Sequence, residues 1–172
     1  MFVLSQVFVI ISGIIFAISY LFRKKEIILI LNVVNNIFFA IHFLFLKSFT
    51  ASYSVFVIAL FSIVIYFIEK YNKEQFQLLF LIISTILICI ISIFTWEGPF
   101  SLMPTCASIS TLIGTVLNKT LIVKFFYLAS TILNTIYLFI IHSYFGFAIN
   151  IGILVIGIVG IINQIRLNIK KV

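Results

Sequence analysis

Seven long apolar stretches, separated by short polar gaps, set the strongest constraint on this chain. A helix crossing a bilayer needs about 20 mostly apolar residues, and runs near that length recur at 2–22, 27–46, 51–68, 76–95, 100–117, 121–141 and 145–165. The runs are rich in Ile, Val and Phe, residues that favour strands in water. An open sheet, however, leaves unpaired backbone groups in hydrocarbon, and a β-barrel alternates apolar and polar residues in short segments. These runs are continuous. The expected fold is therefore an all-α membrane protein of seven transmembrane helices.

The cations occupy every second gap. One set of gaps holds Arg23, Lys24 and Lys25, then Lys70 and Lys73, then Lys119 and Lys124, then Arg166, Lys170 and Lys171; the other set holds only Lys47. Basic residues near helix ends are retained on the cytoplasmic side, so the expected orientation puts the N-terminus outside and the C-terminus in the cytoplasm. With 64% hydrophobic and 9% charged residues there is too little polar surface to coat a water-soluble globule. A net charge of +7 would suit nucleic acid in a soluble chain; here the cations read as helix-end anchors for anionic headgroups, and nucleic acid is excluded as a partner. No basic segment precedes the first apolar run, which reads as a retained span rather than a cleaved signal. Tyr20, Tyr66 and Tyr71 lie near inner span ends and Trp96 and Tyr144 near outer ones, as interfacial belts require.

The two halves of the chain echo each other. A constant shift lays residues 22–71 on 117–166 without a gap, so that Lys24 meets Lys119 and Ser48 meets Ser143. The chain then divides into a first three-helix repeat at 1–68, a loop and linker helix at 69–98, and a second three-helix repeat with a short basic tail at 99–172. Both repeats keep one orientation, a 3+1+3 plan of parallel repeats that alternating-access transporters use.

Polar side chains in mid-span are costly and tend to face a bundle interior or a cavity. Asn32, Asn35 and Asn36 stand at i, i+3 and i+4 with His42 continuing their line, so they share one helix face. The shift places Tyr127, Ser130, Thr131 and Tyr137 at the matching positions, with Asn134 one turn on from Ser130. Ser54 and Asn150 lie in the third and seventh spans. These groups suit hydrogen bonding to a neutral solute, or equally bonds that hold helices together. Pro104 is a candidate hinge, since a proline inside a helix removes a ladder bond. Gly146, Gly152, Gly157 and Gly160 suggest close packing, and Cys89 and Cys106 read as small apolar fillers. No carboxylate falls inside a span: Glu26, Glu69, Glu74 and Glu97 sit at ends or in loops, and Asp is absent. That argues against an aspartate protease or a carboxylate proton relay. There is no HExxH, and two histidines make a poor metal site; no Lys in the seventh span offers a retinal Schiff base. The expectation is no enzyme, no metal and no cofactor.

Ser5-Gln6, the Arg23-Lys24-Lys25 stop, Ile41-His42-Phe43 leading to the Ser48 turn, Pro104, Ser143 before Gly146, and Asn163 with Arg166 occur in an order and spacing that resemble the bacterial inner-membrane YgjV family. That family is similar in plan to the SWEET and PQ-loop transporter superfamily. The resemblance implies two triple-helix bundles joined by a fourth helix, and movement of a small neutral solute through the centre. The superfamily's Pro-Gln dipeptide is absent, as are prolines in the first, second and sixth spans. The expected function is a facilitator in the bacterial cytoplasmic membrane for a small polar, uncharged metabolite, sugar-like or vitamin-like, lined by Asn32, Asn35, Asn36, Ser54, Thr131, Asn134 and Asn150. The alternative is a non-transport packing subunit or partner-binding scaffold. The expected partners are the bilayer and a small solute, with self-association left open.

Overall fold

Residues 2–169 are described by a computed structural model, and among them every regular element is helical. The helices are α1 (Phe2–Ser19), α2 (Lys25–Phe45), α3 (Phe49–Lys70), α4 (Gln77–Phe94), α5 (Leu102–Val116), α6 (Thr120–Ile140) and α7 (Tyr144–Ile169), with 3-10 turns at Glu74–Phe76 and Pro99–Ser101. Six of them, counting those turns with α4 and α5, are long and apolar enough to cross a membrane. The remaining helix, α1, is apolar over a shorter run, Leu4–Ser19. Lys170 and Lys171 of the basic set lie outside the described residues.

Six helices close into a ring. α1 packs on α2, α2 on α3, α3 on α5, α5 on α6, α6 on α7, and α7 returns to α1. α4 lies against α3 and α5 and buries one stripe, Gln77, Ser84, Ile88 and Ser92; its other faces carry exposed apolar residues such as Ile86, Ile93 and Phe94. Exposed Ile, Phe and Val side chains also cover the outer faces of the ring, as in Phe56, Phe125 and Val155. A surface of this kind is matched to acyl chains and not to water.

The turns are built from local chain chemistry. Lys47, Asn72 and His142 take left-handed backbone angles (φ 60, 54 and 58) just after α2, α3 and α6. At each of these the next N–H reaches back to the helix: Ser48 to the Phe43 carbonyl at 3.0 Å, Lys73 to the Ile68 carbonyl at 2.9 Å and Ser143 to the Leu138 carbonyl at 2.9 Å. This is the two-bond closure that satisfies carbonyls a helix end leaves free. At the basic end Lys25 pairs with Glu69, tying the start of α2 to the end of α3. At the other end Glu97 accepts hydrogen bonds from the N–H groups of Phe49 and Thr50, so a carboxylate from the α4–α5 link caps α3.

Two local readings of the sequence change. A kink at Pro104 presumes a helix already running from residue 100, but α5 starts at Leu102 after a 3-10 turn. Pro104 is thus its third residue, where a helix has no internal acceptor for an N–H, and no ladder bond is lost. The hydroxyl of Thr105 donates to the Ser101 carbonyl at 2.8 Å, closing that junction. Tyr20 is not an interfacial ring: only 2% exposed, it lies against Gly157 and Gly160 of α7, where a Cβ would come within 3.0–3.3 Å of a neighbour.

Candidate functional site: a small polar cavity within the helix ring

All six ring helices contribute walls to one small internal cavity of about 30 Å³. Its polar lining is Ser12 from α1, Asn32, Asn35 and Asn36 from α2, Thr111 from α5, Ser130, Thr131 and Asn134 from α6, and Asn150 from α7. The i, i+3, i+4 spacing of the α2 asparagines puts them on the inward face, where they are 1–5% exposed.

A chain of hydrogen bonds runs across the ring. The Ser12 hydroxyl donates to Asn35 Oδ1 at 2.7 Å, Asn35 Nδ2 to Asn36 Oδ1 at 3.4 Å, and Asn36 Nδ2 to Asn32 Oδ1 at 3.1 Å. Asn32 Nδ2 then donates to the Tyr127 hydroxyl at 3.0 Å and to Ser62 Oγ at 3.3 Å, while Tyr127 meets Thr115 at 3.1 Å. Thr111 donates to Ser130 at 2.8 Å, and Thr131 back to the Tyr127 carbonyl at 2.8 Å. Buried polar groups left without partners cost free energy, so this chain accounts for most of the lining. One lining group stands outside it: Asn134 Oδ1 is buried without a donor, with the buried Asn150 side chain on the same cavity wall.

Aromatic side chains pack on both sides of the cavity. Toward the basic end, Phe16 packs edge-on against Tyr20 (centroids 5.4 Å apart) and tilted against Tyr127 (5.9 Å). Toward the other end, Phe39, Phe43 and Tyr137 cluster with Val9, Val55 and Leu138. There Ser48 on α3's N-cap bonds the Tyr137 hydroxyl, and Ser143 before α7 lies 3.5 Å from His42 Nε2. His42, wholly buried, donates from Nδ1 to the Ser5 carbonyl at 3.0 Å. That bond leaves Nε2 as the acceptor for Ser143.

The family model for Imp-YgjV, described as a bacterial inner membrane protein, matches residues 3–168. The chain belongs to that family. It is a multi-pass helical protein of the bacterial inner membrane. No curated protein and no solved structure matches it.

Of the residues expected from the sequence, Asn32, Asn35, Asn36, Thr131, Asn134 and Asn150 converge on the cavity of this Imp-YgjV protein. Ser54 does not. It is fully buried with its hydroxyl unpartnered, and its neighbour Val55 faces the cavity instead. Ser12 and Thr111 were not anticipated: each is a single mid-span hydroxyl, a pattern no different from the many that bond their own helix. Among the described residues no group of three His, Cys, Asp or Glu is placed to hold a metal ion. Cys89 and Cys106 are free and exposed.

Proposed function

We propose that this protein is a facilitator for a small polar, uncharged metabolite, sugar-like or vitamin-like, and that the closely packed ring is its occluded conformation. The observation that carries this reading is the unused hydrogen-bonding capacity of Asn134 Oδ1, facing a cavity walled by all six ring helices that Asn150 also lines. A volume of about 30 Å³ holds roughly one or two waters, whereas small-molecule sites run to about 300–1,000 Å³. A solute therefore enters only when the ring opens. Hydrogen bonds of about 0.6–2 kcal/mol each are weak enough to be exchanged for solute contacts during that opening. No carboxylate or histidine lines the cavity, so the reading is passive movement and no enzymatic chemistry.

In this reading α1–α3 and α5–α7 are parallel repeats joined by α4. Three observations support the plan. The shift that carries Lys25 onto Thr120 also carries Phe45 onto Ile140, the two ends of α2 and α6. It carries the left-handed Lys47 onto the left-handed His142. It also exchanges the Ser48–Tyr137 contact with Ser143–His42, the relation a two-fold axis along the membrane normal imposes. The halves open about that axis, with Pro104, in the first turn of α5, as the hinge candidate. The N-terminus is outside and the C-terminus cytoplasmic.

A rival reading, a packing subunit or partner-binding scaffold, draws on the saturated Ser12–Asn35–Asn36–Asn32–Tyr127 chain. Proteoliposomes tested with a panel of radiolabelled neutral solutes separate the two. A carrier moves at least one solute and loses that flux in Asn134→Leu and Asn150→Leu while keeping the parent's melting temperature. A scaffold gives no flux above empty vesicles.

A further inference from the structure

A second and much larger cavity, about 640 Å³, opens at the basic end between the ends of α1 and α7 and the first turns of α6. Three cations line it, Arg23, Lys124 and Arg166, together with Asn163 and Gln164; Leu21, Leu167 and Ile169 form its apolar wall. Among the described residues no carboxylate contributes to the lining, and the one ion pair found among them is Lys25–Glu69, elsewhere.

Lys124 is the decisive group. Its side chain is only 2% exposed, and its ammonium donates to the Tyr20 carbonyl at 2.7 Å. An ammonium carries three N–H donors, and a buried cation without a counter-charge is strongly unfavourable. Arg23 and Arg166, both exposed, add two further positive charges to the same cavity instead of neutralising the first. Gln164 buries its carbonyl oxygen on this wall with no donor. The site thus offers positive charge and N–H donors in excess, an unpartnered acceptor in Gln164, and an apolar flank.

We propose that this cavity binds a hydroxyl-bearing phosphate ester. The phosphate is held by Lys124 and the guanidinium forks of Arg23 and Arg166, whose planar donors match phosphate oxygens, and Gln164 accepts from a neighbouring hydroxyl. Two sources carry this chemistry: the headgroup of an acidic phospholipid such as phosphatidylglycerol, whose acyl chains would run along Leu21, Leu167 and Ile169, and a free glycerol phosphate from the aqueous side. The inference does not rest on transport.

The test uses the full chain in a neutral detergent, with binding measured by native mass spectrometry and thermal shift. The probes are phosphatidylglycerol, glycerol 1-phosphate and, as zwitterionic control, phosphatidylcholine. Saturable binding of phosphatidylglycerol alone assigns the site to lipid; binding of glycerol 1-phosphate, with or without the lipid, assigns it to a phosphate ester in solution. In either case Arg23→Gln and Arg166→Gln, exposed changes that leave the fold intact, weaken binding about tenfold, the loss expected for one charge-assisted hydrogen bond. Lys73→Gln, which removes the same charge from a loop outside the cavity, leaves it unchanged. The proposal is overturned if neither probe binds more tightly than phosphatidylcholine, if the arginine variants bind like the parent, or if Lys73→Gln weakens binding equally.

Discussion

Two glycines of α7 occupy the same helix and meet opposite surroundings. A Cβ on Gly160 would lie 3.0 Å from the backbone oxygen of Tyr20, the atom that also accepts the Lys124 ammonium, whereas nothing lies within 4 Å of a Cβ on Gly152. Backbone cannot swing aside as a side-chain tip does, so Gly160→Ala pushes α1 from α7 at a cost of about 1–3 kcal/mol. Gly152→Ala removes a flexible residue from a helix interior without a clash and gains up to about 1 kcal/mol. Thermal unfolding of the two variants in one detergent is expected to move melting temperature in opposite directions; a shared direction contradicts the close approach at Tyr20. Both residues look alike in the sequence, because a glycine's neighbours come from another helix.

At the scale of elements, Glu97 connects what the chain order separates. It sits between α4 and α5, caps α3 through the Phe49 and Thr50 N–H groups, and accepts from Ser48 at 3.2 Å and from Tyr137 of α6 at 3.4 Å. Gly98, at φ 120, provides the bend that brings the carboxylate round. Loss of a helix cap costs about 0.5–2 kcal/mol, so Glu97→Ala is expected near the upper end of that range. Glu74→Ala, on an exposed turn, stays within about 0.5 kcal/mol, and denaturation followed by circular dichroism measures both. Helix number and approximate span positions were legible because hydrocarbon allows few alternatives to a continuous apolar helix. The inward face of α2 was legible because three asparagines at i, i+3 and i+4 can share only one side. The cap was not legible, since a loop glutamate carries no sign of which helix it will reach. The start of α5 was misplaced because Pro99 and Pro104 fit a helix from residue 100 as well as the 3-10 turn that forms. The burial of Tyr20 and the small volume of the cavity depend on how helices meet, which no single segment encodes.

Taken whole, the molecule has one chemically distinct end, and the orientation proposed for it rests on that asymmetry. Arg23, Lys24, Lys25, Lys70, Lys73, Lys119 and Arg166 gather where α1, α3 and α7 finish and α2 and α6 start, against Lys47 alone at the opposite end. Cations near span ends resist translocation, so the basic end is expected in the cytoplasm; in the proposed orientation the cavity of Arg23, Lys124 and Arg166 opens toward the cytosolic leaflet, where anionic lipid produces a negative surface potential. Labelling with a membrane-impermeant maleimide tests this in a background lacking Cys89 and Cys106. Both probe positions, Lys47 and Lys73, are exposed and lie in turns, so cysteine replacement leaves the ring contacts alone. Lys47→Cys is expected to react in intact cells and Lys73→Cys only after permeabilisation. The reverse pattern would invert the protein in the membrane and place the phosphate cavity on the outer face.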